Sequence, residues 1–351
     1  MEIKLFRQTF TLKNLFRIAH GAYSYRESIF VWLREGQNIG IGEAPIVPYY
    51  GISADKIEKD LANGLSLTGV KTALRNPHAS LEYFKYSVSR SAFQSAILQL
   101  YRRQGGQLPG LPSERTIRGN TIPATSFTIG YDEDPEAMVR VAKSSGFRRL
   151  KVKAGIAGDI ERIALLRERL PEAIIRVDAN QGWTKAEAPE KISALEGLGV
   201  ELIEEPVAGA PEDFEALAAG TTVPILVDES VRDRQSLDNF LCGAPSVAGI
   251  VVKTAKNGGP IESASLMSAA IEGGMRVMVS CMVESSLGIG AALSFASACS
   301  WCDLDAPLLI VNDPFEGLSY EDETPRLSNA GISPGPVLTS YIENLSPLWR
   351  D

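Results

Sequence analysis

The chain has 351 residues, 44% hydrophobic and 22% charged, the balance of a globular protein long enough for two domains or for one barrel with an addition. Its net charge of −8 is spread rather than blocked, which gives no basic footprint for nucleic acid and no polybasic membrane patch. No apolar run approaches a membrane span, the opening Met1-Glu2-Ile3-Lys4-Leu5 is not a secretion signal, and four cysteines make no disulfide framework, so a cytoplasmic protein is expected.

Residues 3–10 alternate like a strand, and 28–33 and 37–42 read as two more, joined by a turn at Glu35-Gly36. Helical patterns follow at 53–64 and 80–104, the second with an apolar stripe through Tyr83, Phe84, Tyr86, Ala92, Ala96, Leu98 and Leu100. Residues 1–115 therefore read as a small α+β domain. Prolines at 109, 112 and 123 mark 108–123 as a linker, and 124–130 reads as the strand that opens a new rhythm. Thr128 sits near the carboxyl end of that strand.

The stretch 149–154 is the next strand. Side chains at i and i+2 of a strand share a face, so Lys151 and Lys153 project together. After them, short apolar runs keep ending in a charge: Asp178, Glu204, Asp228 and Lys253 recur every 24 to 26 residues. Segments 158–170, 184–198, 211–219, 232–241 and 260–273 between them read as helices. This is the repeat of a (β/α)-barrel, whose eight units take roughly 250 residues and whose active sites use residues at the carboxyl ends of several strands. Residues 276–282 read as the seventh strand, ending in Cys281 and Met282, and 301–305 as the eighth. Gly288-Ile289-Gly290 opens a helix and lacks the third glycine of a dinucleotide fingerprint. Cys299 and Cys302 have no second pair and no histidine nearby, and read as structural thiols. The only histidines, His20 and His78, fall outside this ladder of charged strand ends, which leaves proton chemistry to the lysines.

With Lys153 on the second strand and Lys253 on the sixth, the two amines stand on opposite walls of an eight-strand barrel. Asp178, Glu204 and Asp228 lie on the three strands between. Three clustered carboxylates repel unless a cation joins them, and an all-oxygen donor set suits Mg²⁺ better than zinc. A hard cation flanked by opposed amines can stabilise the enolate of a carboxylate substrate while each amine serves one face of its α-carbon.

K-V-K at 151–153, V-D-A-N-Q-G-W at 177–183, L-I-E-E-P at 202–206, V-D-E-S at 227–230 and V-V-K-T-A-K-N-G-G at 251–259 together resemble the muconate-lactonising subgroup of the enolase superfamily. The resemblance implies an α/β fold, a modified TIM barrel (β/α)7β with an N-terminal α+β capping domain. It implies Asp178, Glu204 and Asp228 as ligands of one Mg²⁺, with Mn²⁺ as a substitute, and Lys153 and Lys253 as acid/base catalysts. Lys151 would bind the substrate carboxylate and depress the pKa of Lys153. The capping domain would bring specificity loops near 16–26 and 46–51 over the mouth. Thr128 reads either as a family position near substrate or as a satisfied buried threonine, and Cys281 and Met282 are assigned to substrate contact. The domains expected are 1–115, the barrel at 116–320, and a tail at 321–351 that returns to the cap.

Asp303-Leu304-Asp305 places two carboxylates on one face at the mouth if the strand runs through them. A D-x-D there resembles the dipeptide epimerases, which hold the free ammonium of a dipeptide with it. The reading is a Mg²⁺-dependent dipeptide epimerase that inverts the α-carbon of the C-terminal residue by two-lysine proton transfer through an enediolate. An o-succinylbenzoate synthase or muconate-type cycloisomerase would use the same site. A Schiff-base aldolase is a rival that borohydride trapping would reveal, and a non-enzymatic carboxylate binder is a third reading. Epimerases selective for an acidic C-terminal residue place an arginine in the capping loop. Gly21 takes that position here, with Arg17, His20 and Arg26 close by. A homo-oligomer is left open.

Overall fold

The computed structural model describes residues 1–77, 83–107 and 121–350. It begins with three antiparallel strands, β1 (Glu2–Ile18), β2 (Gly21–Glu35) and β3 (Asn38–Pro45). Helices α1 (Ala54–Gly64), α2 (Leu67–Arg75) and α3 (Ser87–Arg103) cover one face. The run 28–33 lacks polar alternation because both faces of this sheet are buried. Ile29, Val31 and Leu33 pack with Leu61, Phe93, Ile97 and Leu100, whereas Phe30 and Trp32 pack with Leu287, Ile310, Phe315 and Ile342 from later in the chain. Gly42 lets α3 lie directly on β3: a Cβ there would fall 1.8 Å from the Ala92 carbonyl oxygen. α2 was not anticipated. The expected helix at 80–104 begins at Ser87, and the expected linker lies mostly outside the described residues.

Eight parallel strands follow in sequential order: β4 (Phe127–Ile129), β5 (Arg149–Lys153), β6 (Ile174–Asp178), β7 (Leu202–Glu204), β8 (Ile225–Val227), β9 (Gly249–Val252), β10 (Arg276–Ser280) and β11 (Trp301–Asp303). A parallel bridge between Thr125 and Cys302 joins the first wall to the last, with Ser126 N–H donating to the Cys302 carbonyl at 3.2 Å. Between the strands run α4 (Pro135–Ser145), α5 (Asp159–Arg169), α6 (Ala188–Gly197), α7 (Pro211–Ala218), α8 (Arg234–Gly243), the single turn α9 (Thr254–Asn257) and α10 (Pro260–Glu272), then α11 (Ser286–Ala292). Parallel strands joined by helical crossovers are buried on both faces. Outward residues such as Leu150, Val152, Ile175, Val177, Ile203, Ile250 and Val252 form the core beneath the helices. Inward residues Leu202, Leu226, Val251, Met278 and Trp301 make a separate layer inside the barrel. Two positions further along the same faces stand Glu204, Asp228, Lys253, Ser280 and Asp303, so the apolar layer is the floor of the site.

After β11 come α12 (Ala306–Leu309) and the short strands β12 (Phe315–Glu316), β13 (Leu318–Glu321), β14 (Thr324–Leu327) and β15 (Ser333–Pro334). Glu323, at the β13–β14 turn, pairs with Arg149 at 2.6 Å, while its carbonyl accepts Thr125 N–H, both at the amino ends of the strands. The chain then returns to the first sheet through α13 (Pro336–Asn344) and β16 (Trp349–Arg350), which pairs with β1. Lys4 Nζ donates to the Ile342 carbonyl at 2.8 Å beneath this return. No helix among the described residues is long and apolar enough to cross a membrane.

Candidate active site

Register and strand alternation together assemble the site. Lys153, Asp178 and Glu204 are cross-strand neighbours on β5, β6 and β7. Asp228 is the first residue past β8, and Lys253 the first past β9. Asp178, Glu204 and Asp228 are completely buried. Lys153 Nζ lies 2.6 Å from Asp178 Oδ2, and Lys253 Nζ pairs with Asp228 Oδ2. Lys151 spans the barrel: its Nζ is 3.1 Å from Asp178, 2.7 Å from Glu204 on the fourth strand and 2.9 Å from Asp303 on the eighth.

These contacts divide the carboxylates into two kinds. Burial works to raise Asp178, but the ammonium groups of Lys151, Lys153 and Lys253 outweigh it and hold the carboxylate well below its ordinary range. Asp228 is likewise lowered against its burial by Lys253 and Lys256. Glu204 goes the other way: burial and the charge of Asp178 push it far up, and Lys151 does not compensate. Although Lys151 approaches one of its oxygens, neither Glu204 oxygen has a hydrogen-bond partner. Lys151 and Lys253 are raised despite burial, Lys151 chiefly by Asp178 and Asp303, Lys253 chiefly by Asp228.

The three carboxylates suit a hard divalent cation by their chemistry. A buried carboxylate without a hydrogen bond is costly and wants a positive partner, and Glu204 is in that condition. Among the described residues no three acidic, cysteine or histidine side chains already converge as a metal-ligating group. In this arrangement lysine ammonium groups supply the countercharge.

The three lysines line a cavity of about 60 Å³ at the barrel mouth, together with Thr128, Cys281, Met282, Asp303 and Asp305, whereas Asp178, Glu204 and Asp228 do not border it. Asp303 and Asp305 share this cavity, but not because one strand carries both. β11 ends at Asp303, and Asp305 has φ −102° and ψ 0° at the start of α12. Chain reversal into that helix, not strand alternation, brings Asp305 round. Asp303 is also already engaged: it accepts from Ser126 at 2.6 Å, Ser280 at 2.9 Å and Lys151 at 2.9 Å, and Lys151 keeps it low against burial. Asp305 accepts Thr128 N–H at 2.5 Å, and burial and then the Asp303 charge push it up to about 7.

The capping domain roofs the cavity with Phe16, Ile18 and Arg26 of β1 and β2 and with Ile46, Val47 and Tyr49 from the segment after β3. The segment 16–26 is mostly a hairpin, since β1 runs to Ile18 and β2 begins at Gly21. Of its basic residues, Arg17 pairs with Asp132 at 3.7 Å and His20 stacks on Tyr49 at 5.0 Å. Arg26 is buried and lies 3.5 Å over the Tyr23 ring, and no carboxylate among the described residues forms an ion pair with it.

Five further residues carry no role in the sequence reading. Lys256 donates to Asp228 Oδ1 and to the Asp228 and Val251 carbonyls, each at 2.7 Å. Asn180 donates to Glu229 Oε1 at 3.0 Å and accepts from Lys153 at 3.2 Å. Glu205 accepts Asp228 N–H at 2.6 Å and Gln181 Nε2 at 2.7 Å. Burial, then Glu229, raises Glu205 to about 8. Asn180, Gln181 and Glu205 all have positive φ (43°, 62° and 44°), so the backbone is strained where it leaves β6 and β7. The signal was present: Asn180, Glu205 and Glu229 each stand one or two residues after a ladder carboxylate, and Lys256 stands one helical turn after Lys253.

Residues 134–326 match the family described as enolase C-terminal domain-like. The chain is 33% identical over 349 residues to the L-Ala-D/L-Glu epimerase of Bacillus subtilis, covering 92% of this chain and 93% of that protein. It superposes with a TM-score of 0.82 on a substrate-liganded complex of the L-Ala-D/L-Glu epimerase from Bacillus subtilis, at 30% identity and 95% and 97% coverage of the two chains. A dipeptide epimerase from Enterococcus faecalis complexed with Mg and L-Leu-L-Tyr is similar at a TM-score of 0.82 and 25% identity, with 95% of this chain and 99% of that one covered.

Proposed function

The chain belongs to the enolase superfamily, and from that premise we propose that it is a Mg²⁺-dependent epimerase of dipeptides, acting at the α-carbon of the C-terminal residue. The observation that carries this reading is the pair of amines, Lys153 and Lys253, on the second and sixth strands of eight, with three buried carboxylates on the strands between. Asp178, Glu204 and Asp228 would hold the metal, which when bound supplies the positive charge a substrate carboxylate needs as its α-proton becomes acidic. The rest is work for the chain's own side chains. One lysine takes the α-proton from its face of the substrate, and the other returns a proton to the opposite face. Lys151, buried at the centre of the charge network, holds the negative charge that develops between those steps. Asp303 and Asp305 meet the ammonium of the N-terminal residue. Tyr49, Ile46 and Val47 of the cap close the mouth against water.

Incubating the enzyme and Mg²⁺ with a dipeptide library in heavy water, and reading mass gain at the α-carbon, tests this directly. Dipeptides gaining one mass unit with inversion at the C-terminal residue are expected. No exchange in any dipeptide, with turnover of an o-succinylbenzoate precursor or a muconate instead, would replace the reading with that of a cycloisomerase or synthase.

A further inference from the structure

A second cavity of about 200 Å³ adjoins the active-site cavity and shares Phe16, Thr128 and Leu309 with it. Its walls are largely apolar, including Phe127, Ile129 and Met138. The roof comes from β1, where the ladder breaks. Thr11 faces Tyr25 and Phe16 faces Tyr23, so four residues, 12–15, oppose one and leave the sheet as an extended bulge. Leu12 and Leu15 of that bulge overhang the space, with exposed Lys13 and Asn14 between them. Exposed Lys13, Asn14 and Leu15 at its rim open the chamber to solvent, as in a binding cleft. An apolar cavity of about 150 Å³ accommodates a benzene molecule.

We propose that this chamber receives the side chain of the substrate's N-terminal residue, and that the enzyme selects dipeptides with a bulky apolar residue there. The inference rests on the dipeptide reading above. The link is the end of β4. Ser126 donates to Asp303, and Thr128 N–H donates to Asp305, so the acid pair and β4 form one wall. An ammonium held by that pair puts the N-terminal α-carbon one bond away, beside Thr128, which borders both cavities. From that carbon a side chain turns past Thr128 and Leu309 into the chamber, whereas the other adjoining cavity, of about 280 Å³, meets the active site at Arg26 and Ile46 of the cap and is not bordered by Thr128. The active-site cavity is smaller than the chamber, at about 60 Å³ against about 200 Å³.

The test fixes the C-terminal residue at one the enzyme accepts and compares Leu, Phe and Ala at the N-terminus. Ala137, on the first turn of α4, lines the chamber alone and not the active-site cavity, so Ala137→Phe fills the chamber, and Ala137→Leu fills it partly if the larger side chain impairs folding. Wild-type kcat/KM for the Leu and Phe substrates should exceed that for Ala by about tenfold or more, the scale of discrimination in a hydrophobic pocket. In Ala137→Phe that ratio should fall towards one through KM, with Ala137→Leu between. Equal rates in the wild type, or a preference unchanged in both variants, overturns the chamber's role while leaving the epimerase reading intact. Absence of exchange with every dipeptide overturns both.

Discussion

Removing one amine at a time tests the opposed-lysine geometry. In Lys253→Ala, Asp228 loses one partner but keeps Lys256, whose Nζ stays 2.7 Å from Oδ1. In Lys153→Ala, Asp178 keeps Lys151 at 3.1 Å. Neither substitution leaves a buried carboxylate wholly unpaired, the situation that costs several kcal/mol of stability, so both variants should fold and the loss should be chemical. A positioned general base contributes roughly 10²–10⁴-fold, which is about 3–5 kcal/mol of barrier at 1.36 kcal/mol per decade. Each variant should therefore lose epimerisation by at least that factor. The assay follows α-proton exchange in heavy water, starting separately from each epimer. Each variant should still exchange the epimer whose proton faces its surviving lysine, and the two should favour opposite epimers. A variant that interconverts both epimers at the wild-type rate, or two variants that exchange the same epimer, would refute the two-base arrangement.

Glu204→Gln removes a buried carboxylate that has no hydrogen bond. Mg²⁺ affinity by calorimetry should fall at least tenfold, as even outer residues of metal sites cost 10- to 100-fold, without loss of thermal stability in metal-free protein; full turnover after exhaustive chelation would dismiss the metal altogether. Asp305→Asn keeps an oxygen for Thr128 N–H but removes charge, so kcat/KM for free dipeptides should fall roughly 10- to 100-fold, the worth of a charged hydrogen bond. N-acetyl dipeptides should be poor substrates of the wild type, and equal rates for free and acetylated forms would release the acid pair from its role. Glu43 accepts hydrogen bonds from Ser28, Ser285 and Gly288 where the cap meets the barrel, and burial, against those bonds, raises it from 4.5 to about 7. The folded state therefore keeps a proton that the unfolded chain has released, and stability falls as pH rises from about 4.5 through 7, by up to about 3 kcal/mol. Glu43→Gln should flatten that part of the melting-temperature profile; parallel profiles for the two proteins would show that Glu43 does not titrate there.

The barrel and its central charges were legible in sequence because both rest on a local rule. Alternate strand residues share a face whatever the rest of the chain does, so Lys151 with Lys153, and the charge ending each apolar run, could be read one strand at a time. The repeat length then ordered the strands, since parallel neighbours joined by helices follow in sequence. What depends on distant segments meeting was not legible. That Lys151 joins Asp178, Glu204 and Asp303 across the barrel follows from closure of the sheet at Thr125 and Cys302. Asp305 reaches the mouth through the turn into α12, where strand periodicity no longer applies. Among Arg17, His20 and Arg26, only the docking of the capping hairpin decides that Arg26 faces the cavity while Arg17 turns to Asp132. The chamber beside Thr128 exists because a bulge in β1 overhangs β4 from more than a hundred residues away. Local periodicity is a property of consecutive residues, whereas ion pairs, cavities and burial belong to surfaces that meet only when the cap and barrel pack together.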